Sequence, residues 1–287
     1  MIELKTWGEC LDYDLDHNVK HRPERGGFTS FRLYTGYLTR LRGRSLPVNR
    51  MSIEMMDQCG RELEEEGKAD ATINRFTSAV HSVLFFCYQR KKIQQPNTYP
   101  KRKEVEGRPQ WFTKEQVDEI EKCARGLFCR DDVADISTFG AYTGLRQGEI
   151  LKLKAGDIDL TKGSIYVGGR PGFQTKTGKW REVPIHPKVA PILAKRLENA
   201  PDTLRIFGDE WSTKEVLLRN FKKVTAFLDI PPSYVFHCLR HSFGVFHAEA
   251  GTPMRTLMDL MGHTCIETTL RYAKVSDSAR RNAMSNI

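Results

Sequence analysis

The sequence predicts an α+β fold, mainly α-helical with a small β-sheet, in two domains joined by a linker. From residue 7 to residue 91, and again after residue 113, apolar side chains recur every three or four positions, as along one face of an α-helix. Between residues 157 and 185, three short segments separated by glycine-containing turns have the pattern of β-strands. Between residues 94 and 109 this periodicity disappears and prolines and basic residues accumulate, which is typical of a linker.

Residues 1–95 are the first predicted domain, a small bundle of helices. A capping-box pattern from Thr6 to Glu9 begins the first helix. Its apolar residues repeat every four positions, as Trp7, Leu11, Leu15 and Val19. The predicted helices cover residues 7–19, 31–41, 53–63 and 71–91. On the last of them, Arg75 and other basic side chains accompany the apolar stripe, so positive charge lies beside the predicted core face.

Residues 96–110 are predicted as an exposed, basic interdomain linker. Prolines and a glycine surround the basic run of Lys101, Arg102 and Lys103. Such a run is attractive to a polyanion, which makes it a candidate for nucleic-acid contact. A loop whose charges only keep the protein in solution accounts for these residues equally well.

Residues 111–287 are the second predicted domain. It begins with a capping-box pattern from Thr113 to Gln116, and helices then alternate with a short β region. Strands are predicted over residues 157–160, 164–167 and 181–185, and later helices over residues 189–197 and 213–228.

The segment from residue 236 to residue 274 is predicted as three short helices in a tight hairpin. Gly251 and Gly262 suit the left-handed conformation that ends helices. Thr252–Pro253 is predicted to supply the N-cap and the first residue of the middle helix, and Thr264–Glu267 to cap the last one.

Charge and cysteine content narrow the class of protein. The formal net charge of +9 favours a polyanionic partner, which means nucleic acid or, less often, an anionic membrane surface. No apolar run approaches the ~20 residues that span a bilayer, and the N-terminus lacks the pattern of a signal peptide, so the cytoplasm is expected. The seven cysteines are scattered without a CxxC pair, which predicts reduced thiols rather than disulfides or a zinc ribbon.

Several polar residues stand at predicted turns and helix edges of the second domain. They are Arg146 in TGLRQGE, Lys176 in QTKTG, His237 and Arg240 in HCLRH, His263 after a glycine, and Tyr272 in LRY. In the third of these motifs, Leu239 and Phe243 belong to the core stripe of a helix, and Arg240 is expected on its flank. A cation and an imidazole are then presented together, although the motif by itself also fits a solvated helix face.

These strings, in this order, resemble the tyrosine recombinase family, phage integrases in particular. The resemblance covers residues 113–274. A weaker similarity to the helical core-binding domain of that family covers residues 7–109, including Thr72–Arg75. The resemblance therefore implies a helical core-binding domain followed by a tyrosine-recombinase catalytic domain. It also implies site-specific DNA cleavage and rejoining through a 3′-phosphotyrosyl intermediate, with integration, excision or both as the outcome.

The resemblance implies a role for each matching residue. Arg146 and Arg240 would hold the scissile phosphate, His237 and Lys176 would donate or accept protons, His263 would bond the phosphate, and Tyr272 would be the nucleophile. Glu149 fits the acidic position that supports the first arginine, and Lys179 is an alternative to Lys176, which matches better because Thr-Gly follows it. The expected DNA contacts outside the catalytic domain are Arg75, Lys101, Arg102 and Lys103.

The chemistry of phosphodiester exchange explains these residue types. Guanidinium groups stabilise the charge that builds on the non-bridging oxygens, because they stay charged and bond bidentately. A tyrosine hydroxyl, with an ordinary pKa of ~10, needs a base or a positive field, and His237 suits the role of base. The departing 5′-oxygen leaves more readily when Lys176 protonates it. A covalent intermediate conserves the bond energy, so no cofactor, metal or ATP is expected.

The resemblance also implies the partners of this protein. They are double-stranded DNA carrying core recombination sites and further copies of the chain, in a homotetramer on DNA. It allows for accessory DNA-bending proteins, involves no membrane, and places the protein at the nucleoid in the cytoplasm of a bacterial host. Residues 274–287 could dock on a neighbouring copy or form a frayed tail, two equally supported alternatives.

Three alternatives compete with this interpretation. A type IB topoisomerase or a telomere resolvase uses a similar set of residues, and a DNA-binding protein with an inactive site shares the fold. An RNA-binding or membrane-surface protein would account only for the charge. Zinc held by His237 and His241, with Cys238 beside them, is not expected, since neither the glutamate of an HExxH motif nor a third ligand is evident.

Overall fold

The computed structural model describes residues 3–19, 28–104, 109–175, 178–208 and 214–273. The chain divides into two compact units, Met1–Gly107 and Arg108–Ile287. The boundary falls within the segment 96–110, where the sequence predicts the linker. In the described parts of both units, no helix is long and apolar enough to cross a membrane.

The described part of the first unit contains four α-helices, as the sequence predicts. They are α1 (Trp7–Asp14), α2 (Phe28–Arg42), α3 (Ile53–Glu65) and α4 (Asp70–Gln89). The capping box at Thr6 and Glu9 is confirmed. The first helix is shorter than predicted, because the chain continues from Leu15 as a π-helix turn to Val19. Trp7, Leu38 and Phe76 are fully buried in the core of this unit.

The segment after α4 packs on the first unit, which differs from the exposed linker that the sequence predicts. The ring of Tyr99 is buried, and its hydroxyl donates a hydrogen bond to Met51 O over 3.1 Å. The backbone N–H of Arg102 donates a hydrogen bond to Asn74 Oδ1 over 2.8 Å, and the carbonyl oxygen of Arg102 accepts one from Asn74 Nδ2 over 2.9 Å. These contacts attach residues 99–102 to α4 and its neighbours, whereas residues 105–108 lie outside the described part of the chain.

The second unit combines helices with a three-stranded antiparallel sheet in the order β1-β2-β3. Its first helices are α5 (Lys114–Gly126), α6 (Asp131–Thr143), α7 (Gln147–Ile150), α8 (Ala190–Leu197) and α9 (Lys214–Phe227). The C-terminal helices are α10 (Cys238–Glu249), α11 (Met254–Met261) and α12 (Ile266–Ala273). The strands are β1 (Ile158–Asp159), β2 (Ser164–Val167) and β3 (Arg181–Pro184), close to the predicted positions. The predicted capping box at Thr113 and Gln116 is confirmed.

Helix α6 lies at the centre of the second unit, packed against α5 and α10. Every residue from Val133 to Thr143 is buried, as expected for a helix that neighbours surround on all sides. It ends at Gly144, whose φ of +63° is a left-handed conformation that glycine adopts without strain. This turn redirects the chain into α7 and thereby fixes the position of Arg146.

The ends of the C-terminal helices differ in part from the prediction. Gly251 and Gly262 have φ values of +75° and +64°, so their predicted left-handed conformation is confirmed. The predicted caps are each displaced by one residue. Helix α11 begins at Met254 with Pro253 as its N-cap in an extended conformation, and α12 begins at Ile266, so Cys265 rather than Thr264 precedes it. Proline fixes only φ, which suits an extended N-cap as well as a first helical residue.

Candidate active site

Three arginines from different elements converge on the C-terminal end of α11. Three consecutive carbonyls there each accept a hydrogen bond from a different guanidinium: Leu260 O from Arg181 Nε (2.9 Å), Met261 O from Arg240 Nη2 (2.7 Å) and Gly262 O from Arg146 Nη2 (3.1 Å). The last carbonyls of a helix have no partner within the helix and carry the negative end of its dipole. The C-terminal end of α11 therefore binds cationic side chains, and its carbonyl oxygens orient the guanidinium groups of these three arginines.

Arg146 is held by its own helix turn as well. It is the N-cap of α7, and its backbone N–H donates to Glu149 Oε2 over 3.0 Å, while Nη1 lies 3.0 Å from Glu149 Oε1. Arg181 Nη2 lies 2.8 Å from the same carboxylate. Burial would raise the pKa of Glu149, but the hydrogen bonds and charges of Arg181 and Arg146 outweigh it and lower the pKa to about 2. The carboxylate thus stays charged and orients both arginines.

Arg240 is the most deeply placed of the three. The sequence predicts it on the flank of the core stripe of a helix, and in the structure the residue is only 3% exposed. Besides Met261 O, its guanidinium bonds Gly144 O over 2.6 Å, so carbonyl oxygens replace water around the charge. Burial and then the nearby Arg146 lower the pKa of Arg240 to about 9, which still leaves it charged at neutral pH.

His263 follows the end of α11, with its ring half-buried. Its Nδ1 lies 2.8 Å from the hydroxyl of Thr269, and burial together with Arg240 lowers the pKa of His263 to about 3. The imidazole is neutral at pH 7. When Nδ1 accepts the Thr269 hydroxyl hydrogen, Nε2 carries the ring hydrogen and is a donor suited to a phosphate oxygen.

Tyr272 lies on α12 and is 1% exposed. Its hydroxyl lies within hydrogen-bond distance of His241 Nδ1, at 2.8 Å. Burial raises the pKa of Tyr272, and the charges of Arg240, Arg271 and Arg146 act against that rise. The structure therefore brings the predicted nucleophile into the field of the arginine cluster.

The role of His237 as a base stays a prediction. His237 is exposed at the N-cap of α10, and its ring centroid lies 5.0 Å from that of His241. Desolvation and then the charge of Arg240 lower the pKa of His237. The histidine that contacts the tyrosine hydroxyl is His241.

The sequence by itself indicates no role in the site for two residues, His241 and Arg181. His241 was considered only as a zinc ligand, although it completes the same HCLRH motif. Arg181 is the first residue of β3, and strand alternation alone does not indicate that it bonds Glu149 and the end of α11.

The remaining predicted residues stay predictions. Lys176 lies outside the described residues, whereas Lys179 is exposed and its carbonyl accepts a hydrogen bond from Thr175. In the first unit, Arg75, Lys101 and Lys103 are exposed. Arg102 instead pairs with Glu64 and Asp70, at 2.7 and 3.2 Å.

The zinc alternative finds no support in the parts of the chain that the structure describes. No group of three or more His, Cys, Asp and Glu side chains is arranged there to hold a metal ion. Cys238 is buried, and its sulfur accepts a hydrogen bond from the backbone N–H of Val235 over 3.3 Å.

Comparisons with known proteins find relatives among tyrosine recombinases. A tyrosine recombinase XerA of Pyrococcus horikoshii is 28% identical over 270 residues, which cover 89% of this chain and 86% of that protein. A tyrosine recombinase XerC of Chlamydia caviae is 30% identical over 232 residues, 75% of this chain and 71% of that protein. Among solved structures, the integrase of transposon Tn1549 in complex with a circular intermediate DNA has a TM-score of 0.78 over 99% of this chain and 100% of that chain, at 18% identity.

That structural likeness shows a shared fold, and the family follows from the sequence. Residues 110–279, more than half of the chain, match the model of the phage integrase family. The match contains α5 to α12, the three strands and every residue of the site described above. The chain belongs to the phage integrase family of tyrosine recombinases.

Proposed function

We propose that this protein recombines DNA at specific sites with Tyr272 as its nucleophile and the arginine cluster at the end of α11 as its phosphate-binding site. The observation that carries the proposal is the convergence of three fixed guanidinium groups, His263 and the tyrosine hydroxyl within one unit. An enzyme that stabilises a pentacoordinate phosphorus in the transition state needs positive charge that is in place before the reaction begins.

Arg146 and Arg240 are the proposed phosphate ligands. A guanidinium carries five N–H donors, and the hydrogen bonds to carbonyls and to Glu149 use two in each of these arginines. The other donors are available for non-bridging oxygens, while the bonds already made hold the planes of both guanidinium groups. His263 would donate a further hydrogen bond from Nε2.

The proposed reaction exchanges one phosphodiester for another. The hydroxyl oxygen of Tyr272 attacks phosphorus and loses its proton to a base, for which the family resemblance suggests His237. The bond to the 5′-oxygen breaks, and that oxygen takes a proton from Lys176 and leaves as a hydroxyl. A 5′-hydroxyl of the partner strand then attacks the phosphotyrosine and releases Tyr272. Each step conserves one phosphoester bond, so the cycle consumes no ATP.

Double-stranded DNA is the proposed partner. The net charge of +9 and the exposed Arg75, Lys101 and Lys103 of the first unit supply sequence-independent affinity for phosphates. The transposon integrase with the same fold was solved on DNA. Because strand exchange joins two duplexes that are cut in register, we also propose a homotetramer on DNA, with accessory DNA-bending proteins as further partners, at the nucleoid of a bacterial host.

Covalent capture tests this function. The protein is mixed with sheared genomic DNA of its source and denatured in SDS, and DNA fragments that remain linked to protein are sequenced. We expect the adducts to cluster at one sequence and to be absent with Tyr272→Phe, which keeps the ring and removes the nucleophile. If the wild-type protein binds DNA but gives no adduct on any fragment, it is an inactive DNA-binding member of the family.

The same recovered site distinguishes a recombinase from a topoisomerase. Two duplexes that carry the site and differ in length are incubated with the protein, and the products are separated by size. Recombinant joints are expected. Relaxation of supercoiled plasmid without any recombinant joint would identify a topoisomerase instead.

A further inference from the structure

The hydrogen bond between Tyr272 and His241 raises the question of which histidine serves the nucleophile. Tyr272 Oη lies 2.8 Å from His241 Nδ1, which is a full hydrogen bond. His237, the N-cap residue of α10, precedes His241 by four residues, and its ring centroid lies 5.0 Å from that of His241. Proton transfer requires a donor and an acceptor within hydrogen-bond reach, and His241 meets that condition.

The backbone of α10 is shaped to hold the tyrosine ring against His241. Gly244 follows His241 by three residues, so both lie on one face of the helix. A Cβ atom at Gly244 would come within 2.7 Å of Cε2 and Cζ of Tyr272, closer than packed atoms allow. Only glycine therefore lets the ring approach so closely that its hydroxyl reaches His241. Phe243 and Leu257 are buried in the same cluster as Tyr272 and limit its movement.

The surroundings of His241 keep its ring neutral in the absence of DNA. Burial lowers the pKa of His241 to about 4, with further contributions from His237 and Arg240 on α10 and Arg271 on α12. The ring is therefore neutral at pH 7, and Nδ1 can accept the hydrogen of Tyr272, the other titratable group in contact with it. A bound DNA phosphate would oppose the positive charge of the arginines and make His241 more basic at the moment of attack.

We propose that His241 is a catalytic residue of this enzyme and accepts the hydroxyl proton of Tyr272, while the absence of a side chain at Gly244 lets the tyrosine ring lie close against α10. As the bond between Tyr272 Oη and phosphorus forms, the proton passes from Oη to His241 Nδ1. The bond between phosphorus and the 5′-oxygen breaks, and that oxygen takes its proton from a separate acid. His237 is then free to act at the phosphate or at the leaving group. This inference rests on the proposed function, since it assigns a base to the same reaction.

The test uses two leaving groups to separate the base from the acid. A duplex that carries the site recovered by covalent capture is made with an ordinary 5′-oxygen and with a 5′-bridging sulfur, because a thiolate leaves without being protonated. The rate of adduct formation is measured in a single turnover at saturating DNA. His241→Asn is the main variant, since its amide oxygen can accept the hydrogen bond of Tyr272 but does not take up a proton. The matched control is His237→Asn.

We expect His241→Asn to be slower by about 100-fold or more with both substrates, because the missing base acts before the leaving group departs. Its rate should also recover as the pH rises towards the ionisation of tyrosine, which a merely structural defect would not produce. Lys176→Met, which lacks the proposed acid, should be slow with the oxygen substrate and recover with the sulfur substrate. His237→Asn should not show the recovery at high pH that is expected of His241→Asn. A rate of His241→Asn within about threefold of the wild type on both substrates would overturn the inference.

Two further measurements keep the outcome unambiguous. If His241→Asn does not bind the duplex as tightly as the wild type, the variant is misfolded, and His241→Ala with imidazole in the buffer replaces it. Rescue by imidazole supports the inference, and a folded His241→Ala that imidazole does not rescue and that keeps the wild-type pH profile overturns it. If the wild-type protein itself forms no Tyr272-dependent adduct on either substrate, the proposed function fails, and this inference fails with it.

Discussion

Arginines of the first unit and Arg240 of the second unit are held in opposite ways. In the first unit, arginines pair with carboxylates near the surface. Arg42 Nη2 lies 2.7 Å from Glu62 Oε1, and Arg44 Nη2 lies 2.6 Å from Asp12 Oδ2, with the last two side chains 50% and 58% exposed. In the second unit, Arg240 is almost fully buried and bonds two backbone carbonyls instead of a carboxylate. The same type of side chain thus forms ion pairs near the surface of the first unit and supplies a buried, oriented charge at the active site.

This difference shows how a protein keeps positive charge available for a substrate. An exposed ion pair contributes about 0–1 kcal/mol to stability, and its two charges largely cancel. Backbone carbonyls satisfy the donors of a guanidinium without cancelling its charge. In the described part of the chain, the hydrogen bonds of Arg146, Arg181 and Arg240 reach one carboxylate, that of Glu149, so the site keeps an excess of positive charge. A phosphate can supply the missing negative charge.

Replacing Arg240 with lysine should break this arrangement with the largest effect. Lysine keeps the charge but cannot bond Gly144 O, Met261 O and a phosphate in one plane, so adduct formation should slow by about 100- to 1000-fold. Single-turnover rates at saturating DNA measure this effect separately from affinity. The matched control is Arg44→Lys in the first unit, which should react at the wild-type rate. A rate of Arg240→Lys equal to that of Arg44→Lys and the wild type would show that fixing the guanidinium plane is unimportant.

The glycine that supplies one of these carbonyls gives the second prediction. In Gly144→Ala, a Cβ atom would lie 2.4 Å from Cδ1 of Phe243 on a residue with a φ of +63°. Left-handed strain of about 1–2 kcal/mol and overpacking of about 1–3 kcal/mol should together lower the free energy of unfolding by roughly 2–5 kcal/mol. Denaturant unfolding measures it. Gly148→Ala is the control, since it meets no neighbouring atom and should leave stability nearly unchanged.

The site also shows what a sequence can predict and what it cannot. The HCLRH motif indicates that His237 and Arg240 share a helix, and glycine signals located the turns at Gly144 and Gly262. Helical periodicity treats arginine as a polar residue, however, so it predicts Arg240 on the flank of α10. Its burial depends on carbonyls that lie 96 and 21 residues away in the sequence.

The partner of the nucleophile was missed for a similar reason. His241 and Tyr272 are 31 residues apart, and only the packing of α12 on α10 brings them together. Arg181 is comparable, because it acts through carbonyl oxygens at the end of α11. Backbone carbonyls have no signature in a sequence, whereas the helix caps at Thr6 and Thr113 are local patterns and were predicted correctly.

The pH dependence of stability should differ between the two units. In the second unit, the pKa values of about 4 for His241 and about 3 for His263 lie below the ordinary 6.5, so the unfolded chain binds protons first as the pH falls. Their contribution to stability is complete above pH 6.5 and is lost progressively below it. In the first unit, Arg42 lowers the pKa of Glu62 from 4.5, and that contribution is lost only when the pH falls below about 4.5.

Thermal unfolding at about pH 7.5 and about pH 5 tests this contrast. The transition of the second unit should shift down between the two pH values, and the shift should be smaller in His263→Asn, whose amide oxygen can still accept a hydrogen bond from Thr269. Glu62→Gln should not alter the shift, because the contribution of Glu62 to stability is lost only below about pH 4.5. A shift of the same size in His263→Asn and the wild type would show that the ring of His263 is not held neutral by its surroundings.

The smallest expected effect distinguishes two neighbouring cations of the first unit. Lys103 is exposed, whereas Arg102 is paired with Glu64 and Asp70. If Lys103 contacts a phosphate, Lys103→Gln should reduce the slope of log affinity against log salt by about 0.9. Arg102→Gln should reduce it by less than half as much, and should instead cost about 0.2–1 kcal/mol of stability through its lost ion pairs. Equal changes of slope would mean that the ion pairs of Arg102 open on DNA, and the contrast between paired and available cations would then hold only for the unbound protein.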